Sequence, residues 1–140
     1  IGLDAALAGH FGVPVIMLSG DQSASKEAQE LIGHDVEVAV VKKAHGRYSA
    51  DLTPIPVAQE KICEAAARAV TRLRNGNAPK PFVIPPPVKL TIEFARTDFA
   101  DRAQLAPGAQ RFDGRKVEVT LPDMIGAYQA MRALVMLAGE

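Results

Sequence analysis

Apolar positions in this chain recur with two different periods, and the changes between them mark its elements. From Ile1 to Phe11, Leu3, Ala6, Leu7 and Phe11 recur at helical spacing and predict one face of a short helix, with Gly12 placed to cap its end. Val13 to Leu18 is an apolar run broken only by Pro14 and stopped by Ser19-Gly20-Asp21, the pattern of a buried parallel strand. Ser23 to Ile32 predicts a second helix with Ala24, Ala28 and Leu31 inward, entered through Asp21 and Ser23, both able to cap it. Val36 to Val41 predicts the next strand. Helix, strand, helix and strand in that order are the pattern of an open α/β sheet.

A polar loop from Lys42 to Leu52 follows, and then Thr53-Pro54 signals the start of a helix running to about Arg74, with Arg68, Arg72 and Arg74 in its last turns and Gly76 to close it. Residues 78–87 hold half of the prolines and read as an extended connector. Beyond it the period becomes two. Val88, Leu90, Ile92 and Phe94 alternate with polar residues, as do Val117, Val119 and Leu121, which predicts two strands with one buried and one polar face. A short helix is expected from Asp98 to Leu105, ended by Pro107-Gly108. A final helix capped by Asp123 carries Tyr128, Met131, Leu134, Val135 and Ala138 on an apolar stripe. The expected organisation is thus the helix-strand-helix-strand portion of an open α/β sheet over residues 1–77, the connector 78–87, and a smaller α+β layer over 88–140 that offers a subunit contact.

Composition narrows the partners. The 140 residues are 48% apolar, enough for a real core, and Lys+Arg and Asp+Glu are equal at 16 each. That balance leaves no electrostatic footprint for nucleic acid or an anionic membrane, and no apolar run approaches the roughly 18 residues that a membrane helix needs. Cys63 is the single cysteine, so no internal disulfide forms and a reducing cytoplasm is expected, with the thiol read as helix packing. The opening Ile-Gly-Leu-Asp has neither an initiator Met nor a basic segment before an apolar stretch, and it reads as the interior of a longer protein.

Local motifs for chemistry are sparse. His10, His34 and His45 are the only histidines, and no two share a helical face. There is no nucleophile elbow, no Gly-rich phosphate loop and no His-Glu-x-x-His. Two segments follow strands, where open α/β sheets collect ligands. In Ser19-Gly20-Asp21, Asp21 serves either as a helix cap or as a catalytic acid. In Lys42-Lys43-Ala44-His45-Gly46-Arg47-Tyr48-Ser49, Arg47 is suited to clamp a carboxylate through paired hydrogen bonds, against a plain reading as a solvated loop.

Several segments together resemble the M55 family of D-aminopeptidases. They are Ile1 to Ala5 with Gly9, Val13-Pro14-Val15 through Gly20-Asp21, and Lys26-Glu27-Ala28. Farther along come Gly46-Arg47 with Leu52 and Pro54, Ile92 to Ala95, Pro107-Gly108, and Asp123-Met124 with Ala127 to Met131. Order and spacing hold along nearly the whole chain. The resemblance implies a cytoplasmic hydrolase, encoded with dipeptide transport, that releases D-residues such as D-Ala from short peptides with zinc and assembles into homo-oligomeric rings. It also implies that the metal ligands and the catalytic histidine lie upstream of Ile1, so this segment would be the C-terminal half, inactive alone. The pocket-wall candidates are Asp4, which stands where the family commonly has Asn, together with Gly20, Asp21, Arg47 and Ser49. Two other readings stand beside it. Phe11 to Pro14 followed by Ser19 to Ala24 is similar to the strand-end segment of nucleoside phosphorylases and nucleosidases, with Asp21 as the acid, although Gly20 interrupts their Ser-Asp pair. The other is a non-enzymatic module that only self-associates.

Overall fold

The apolar run that begins at Val13 enters a sheet only from Met17, where it meets a partner four residues later than its hydropathy suggests. The computed structural model describes residues 1–139. They form two compact units that divide between Phe82 and Val83, inside the Pro-rich stretch.

The first unit comprises α1 (Gly2–His10), β1 (Met17–Asp21), α2 (Gln22–Ile32), β2 (Glu37–Ala44), β3 (Ala50–Leu52) and α3 (Ile55–Arg74). β1 and β2 are parallel, joined by α2 as the crossover helix, and β3 pairs antiparallel with β2, giving the order β1-β2-β3. The expected loop from Lys42 to Leu52 is therefore a hairpin. Its strands lack alternating hydrophobicity because both faces are exposed, so periodicity could not mark them. Val38 and Val40 share a surface with α2, whereas Glu37 shares one with α3, as the period-two pleat requires of helices on opposite faces.

Both helix ends in this unit that precede a left-handed glycine close the same way. After α1 the Val13 amide reaches back to the Ala8 carbonyl and that of Gly12 to Gly9; after α3 the Asn77 amide reaches Arg72 and that of Gly76 reaches Leu73. Gly12 and Gly76 hold φ of 71° and 73°, which a side chain would strain. At the other end of α3, Pro54 occupies the cap position and no side chain caps the helix, so Thr53 does not do so. Arg68 and Arg72 do more than complement the helix dipole. Arg68 Nε donates to the half-buried Glu37 carboxylate at 3.0 Å and the Arg72 guanidinium forms an ion pair with it at 3.1 Å, pinning α3 to the start of β2.

The core of this unit is built from small residues: Ala5, Ala6, Ala28, Ala39, Ala65 and Ala69 are buried with Val36. Side-chain expectations shift accordingly. Leu31 is exposed and Ser25 is turned inward instead, while Phe11 lies past the end of α1, exposed and edge-on to His10. Cys63, expected as helix packing, is exposed on α3. The reason is geometric: helices that approach a sheet through alanines leave no room for larger chains on that face. The first half of the Pro-rich stretch belongs to this packing. A Cβ at Gly9 would stand 2.0 Å from the Phe82 carbonyl oxygen, so α1 and the chain at Phe82 touch backbone to backbone.

The second unit comprises β4 (Val88–Glu93), α4 (Thr97–Ala103), β5 (Gln110–Arg111), β6 (Lys116–Leu121) and α5 (Met124–Gly139). Its sheet is antiparallel in the order β4-β6-β5, and Pro86-Pro87 before it is cis. Phe94, Ala100, Ala103, Val117, Val119, Leu134 and Ala138 form the core, so the two amphipathic strands bury the predicted face. Asp123 caps α5 through the Gly126 amide at 2.8 Å. The buried stripe of α5 is Met124, Ala127, Leu134 and Ala138, and Val135, expected on it, is exposed. α4 begins one residue earlier and ends two residues earlier than expected. Asp98 at its start is forked between Arg96 and Arg102, and the Arg96 guanidinium above all holds its carboxyl below the ordinary range.

Two substitutions check these packing statements. Gly9→Ala is expected to lower unfolding free energy by about 1–3 kcal/mol, because the methyl must displace backbone. Leu134→Ala, in the other unit, is expected to cost about 2–5 kcal/mol. Denaturant unfolding of each variant measures both, and a wild-type midpoint for Gly9→Ala contradicts the contact with Phe82.

Candidate functional site

The carboxyl ends of β1 and β2 lie together, and one side chain organises them. Along β1 and β2 the pairing runs in step as far as Gly20 with Val40, then slips so that Asp21 stands opposite Lys42. Gly20, at φ 150°, supplies the backbone conformation at the slip. The carboxylate of Asp21 fills the disrupted ladder. One oxygen accepts the Ser23 amide at 2.8 Å and caps α2; the other accepts the Ala44 amide at 3.0 Å, and the Lys42 ammonium lies 4.0 Å away. The Ser23 amide first, then that of Ala44 and the charge of Lys42, lower the Asp21 pKa below its ordinary 3.8 against a raising effect of burial. A carboxylate held ionised by two amides is poorly suited to donate a proton, which removes the chemical basis for a catalytic acid or a purine-protonating group at this position.

Ala44 is the last residue of β2 before the hairpin turn, so the same carboxylate sets the root of the hairpin. Across the hairpin Lys42 faces Leu52 and Ala44 faces Ala50, while Lys43 faces Asp51. Side chains alternate between faces. Lys42, Ala44, Ala50 and Leu52 line an open cleft of about 400 Å³ together with the tip residues Gly46, Arg47, Tyr48 and Ser49. The opposite parity carries the hairpin's acid: Asp51 is paired with the His45 ring at 2.7 Å. The Arg47 guanidinium lies 5.5 Å from the centre of the Tyr48 ring, and among the described residues it has no carboxylate partner.

Of the sequence candidates, the fold brings Gly20 and Asp21 to the root of the hairpin and places Arg47 and Ser49 at its tip. Asp4 does not join them. It is exposed on the first turn of α1 and lines no part of this cleft. Lys42 and Tyr48, which belong to the candidate loop but not to the expected pocket wall, line the cleft as well, with Leu52. The strand pairing is what brings Leu52 beside Lys42, because their spacing follows no helical or strand-like apolar period.

Replacing Asp21 by Asn leaves one acceptor oxygen for two amides. Asp21→Asn is therefore expected to speed hydrogen exchange at Ala44 and to lower the thermal midpoint at pH 7. Because the folded pKa lies below the unfolded 3.8, the carboxylate's contribution is complete above that value and disappears as pH falls through the lowered one. The midpoints of wild type and variant should converge in that acidic window; a constant gap across it contradicts the charged latch.

Comparison with known proteins places this geometry in a family. The profile of peptidase M55, described as D-aminopeptidase, matches residues 1–133. A D-aminopeptidase of Bacillus subtilis (strain 168) is 38% identical over 139 residues, which is 99% of this chain and 49% of the relative. The solved structure of the zinc-dependent D-aminopeptidase DppA from Bacillus subtilis, described as a self-compartmentalizing protease, superposes with a TM-score of 0.87 at 35% identity, covering 99% of this chain and 50% of that one. The chain thus spans about half the length of the relatives it matches. With identity sustained from one end to the other and the backbone reproduced, the chain belongs to the M55 family of D-aminopeptidases.

Proposed function

We propose that the polypeptide carrying this chain is a zinc-dependent D-aminopeptidase that releases N-terminal D-residues, D-Ala among them, from short peptides, and that this chain is its C-terminal half. The observation that carries the reading is identity to the Bacillus enzyme along 99% of this chain, rather than at one motif. In this reading the chain supplies scaffold, subunit contacts and part of the pocket wall, with Asp21 and Gly20 positioning the hairpin and Arg47 and Ser49 facing the peptide.

The described residues offer no complete donor set for zinc, which supports ligands supplied by the rest of the polypeptide. Among the described residues no group of three or more His, Cys, Asp or Glu is positioned to hold a metal ion, whereas zinc sites in proteins take three or four protein ligands. The ligands are accordingly assigned to the rest of the polypeptide. Ring assembly is the further proposal, supported by the exposed Val135 and Met136 on the outer side of α5 and by Leu105 after α4. A reducing cytoplasm and an association with dipeptide transport complete the reading; the free, exposed thiol of Cys63 supports the compartment.

Metal content and activity test it together. The 140-residue chain is expected to hold no stoichiometric zinc by elemental analysis and to leave D-Ala peptides intact. Joined to an N-terminal half of the family, it is expected to bind zinc and release D-Ala. Tight zinc binding by the chain alone overturns the placement of the ligands, and a zinc-loaded joined polypeptide without D-peptide hydrolysis overturns the activity.

A further inference from the structure

The hairpin sorts its charges by face. Residues 42–52 contain Lys42, Lys43 and Arg47 against the single acid Asp51, in a chain whose charges balance as a whole. That acid is held by His45 on the side away from the cleft, and Asp21, the nearest acid to the hairpin root, is occupied by two amides and Lys42. None of the residues lining the cleft is acidic. What remains inside is the Lys42 ammonium at one end, the Arg47 guanidinium at the other, and a floor of two facing alanines.

Six of the eight other arginines, Arg68, Arg72, Arg96, Arg102, Arg111 and Arg115, each contact a carboxylate, and among the described residues only Arg74 and Arg132 share with Arg47 the lack of one. Among the described residues no carboxylate meets the fork of Arg47. The Tyr48 ring beside it supplies an apolar plane that accommodates the flat cation without neutralising it. The position matters as much as the charge, because the cleft stands at the carboxyl end of the parallel pair β1 and β2, where open α/β sheets receive their ligands.

We propose that this cleft is the subsite for the free C-terminal carboxylate of a short peptide, with Arg47 as its specificity-determining residue. The naming of a peptide rests on the D-aminopeptidase reading above; the cationic, acid-free cleft stands on its own geometry. A planar guanidinium engages a carboxylate through two parallel hydrogen bonds, which a peptide amide cannot match. The alanine floor, having no long side chain, leaves room for the terminal residue. The enzyme so equipped prefers di- and tripeptides with a free terminus over amidated peptides, whose terminal group brings no charge to the cleft.

The test uses the 140-residue chain itself and needs no catalysis. D-Ala-D-Ala and its C-terminal amide are titrated separately while the backbone amide signals of Gly46, Tyr48 and Ser49 are followed by NMR. The free dipeptide is expected to shift these signals saturably and the amide to bind at least about tenfold more weakly, the scale of one charge-assisted pair. Arg47→Ala is expected to erase the difference, and Arg47→Lys to retain a smaller preference because it keeps the charge without the fork. Equal binding of acid and amide, an unaltered preference in Arg47→Ala, or no shift at all overturns the subsite. Inorganic phosphate moving the same signals as strongly as the dipeptide at equal concentration also overturns it, in favour of an unselective anion patch. D-peptide hydrolysis by the zinc-loaded joined polypeptide is measured separately. Activity without the NMR preference removes the subsite and leaves the D-aminopeptidase reading intact; the preference without activity does the reverse.

Discussion

Three segments of the first unit meet at one carboxylate. Asp21 ends β1, begins α2 and accepts the amide at the last residue of β2, so a strand end, a helix start and a hairpin root are referred to the same pair of oxygens. The pairing slip between Gly20 and Asp21 is what makes this necessary. A ladder interrupted there leaves amides without partners, and an unpaired amide turned from water costs more than the bond it would have made. An ionised carboxylate satisfies two of them at once, more strongly than neutral acceptors would. Everything the hairpin presents beyond Ala44, including Arg47 and Ser49, inherits its direction from that latch.

Around the latch, the unit is held by closeness rather than bulk. Alanines on α2 and α3 let the helices lie near the sheet, and Gly9 lets α1 meet the backbone at Phe82. Small contacts of this kind tolerate little added volume, because the neighbouring atoms are backbone and cannot rotate away. The Glu37 carboxylate, gripped by Arg68 and Arg72, adds direction to packing that alanines alone would specify weakly. The second unit follows the opposite plan: larger side chains such as Phe94, Val117 and Leu134 fill one face of an antiparallel sheet.

Function follows from how the hairpin divides its two faces. Period-two alternation sends His45 and Asp51 to one side and Lys42, Ala44, Ala50 and Leu52 to the other, so the acid is hydrogen-bonded by His45 where it stands and no acidic side chain lines the cleft. On the proposed reading, the polypeptide obtains its reactive metal from elsewhere and its grip on the substrate's far end from this cleft.

The sequence by itself determined the helices, the two amphipathic strands of the second unit, the cap at Asp123, the glycine-terminated ends at Gly12 and Gly76, and the family. Each of these is written in near neighbours or in a regular period, and the family is written in the order of many short segments. Asp21 as a cap was legible for the same reason, since its partner Ser23 is two residues away. Its second bond, to Ala44 across 23 residues, was not. Nor were β3, the strand pairing that forms the cleft, the exposure of Phe11 and Cys63, or the contact of Gly9 with Phe82. Those depend on which distant backbone arrives beside which, and an exposed hairpin with no apolar alternation leaves no local trace of that choice; only the tertiary structure made it.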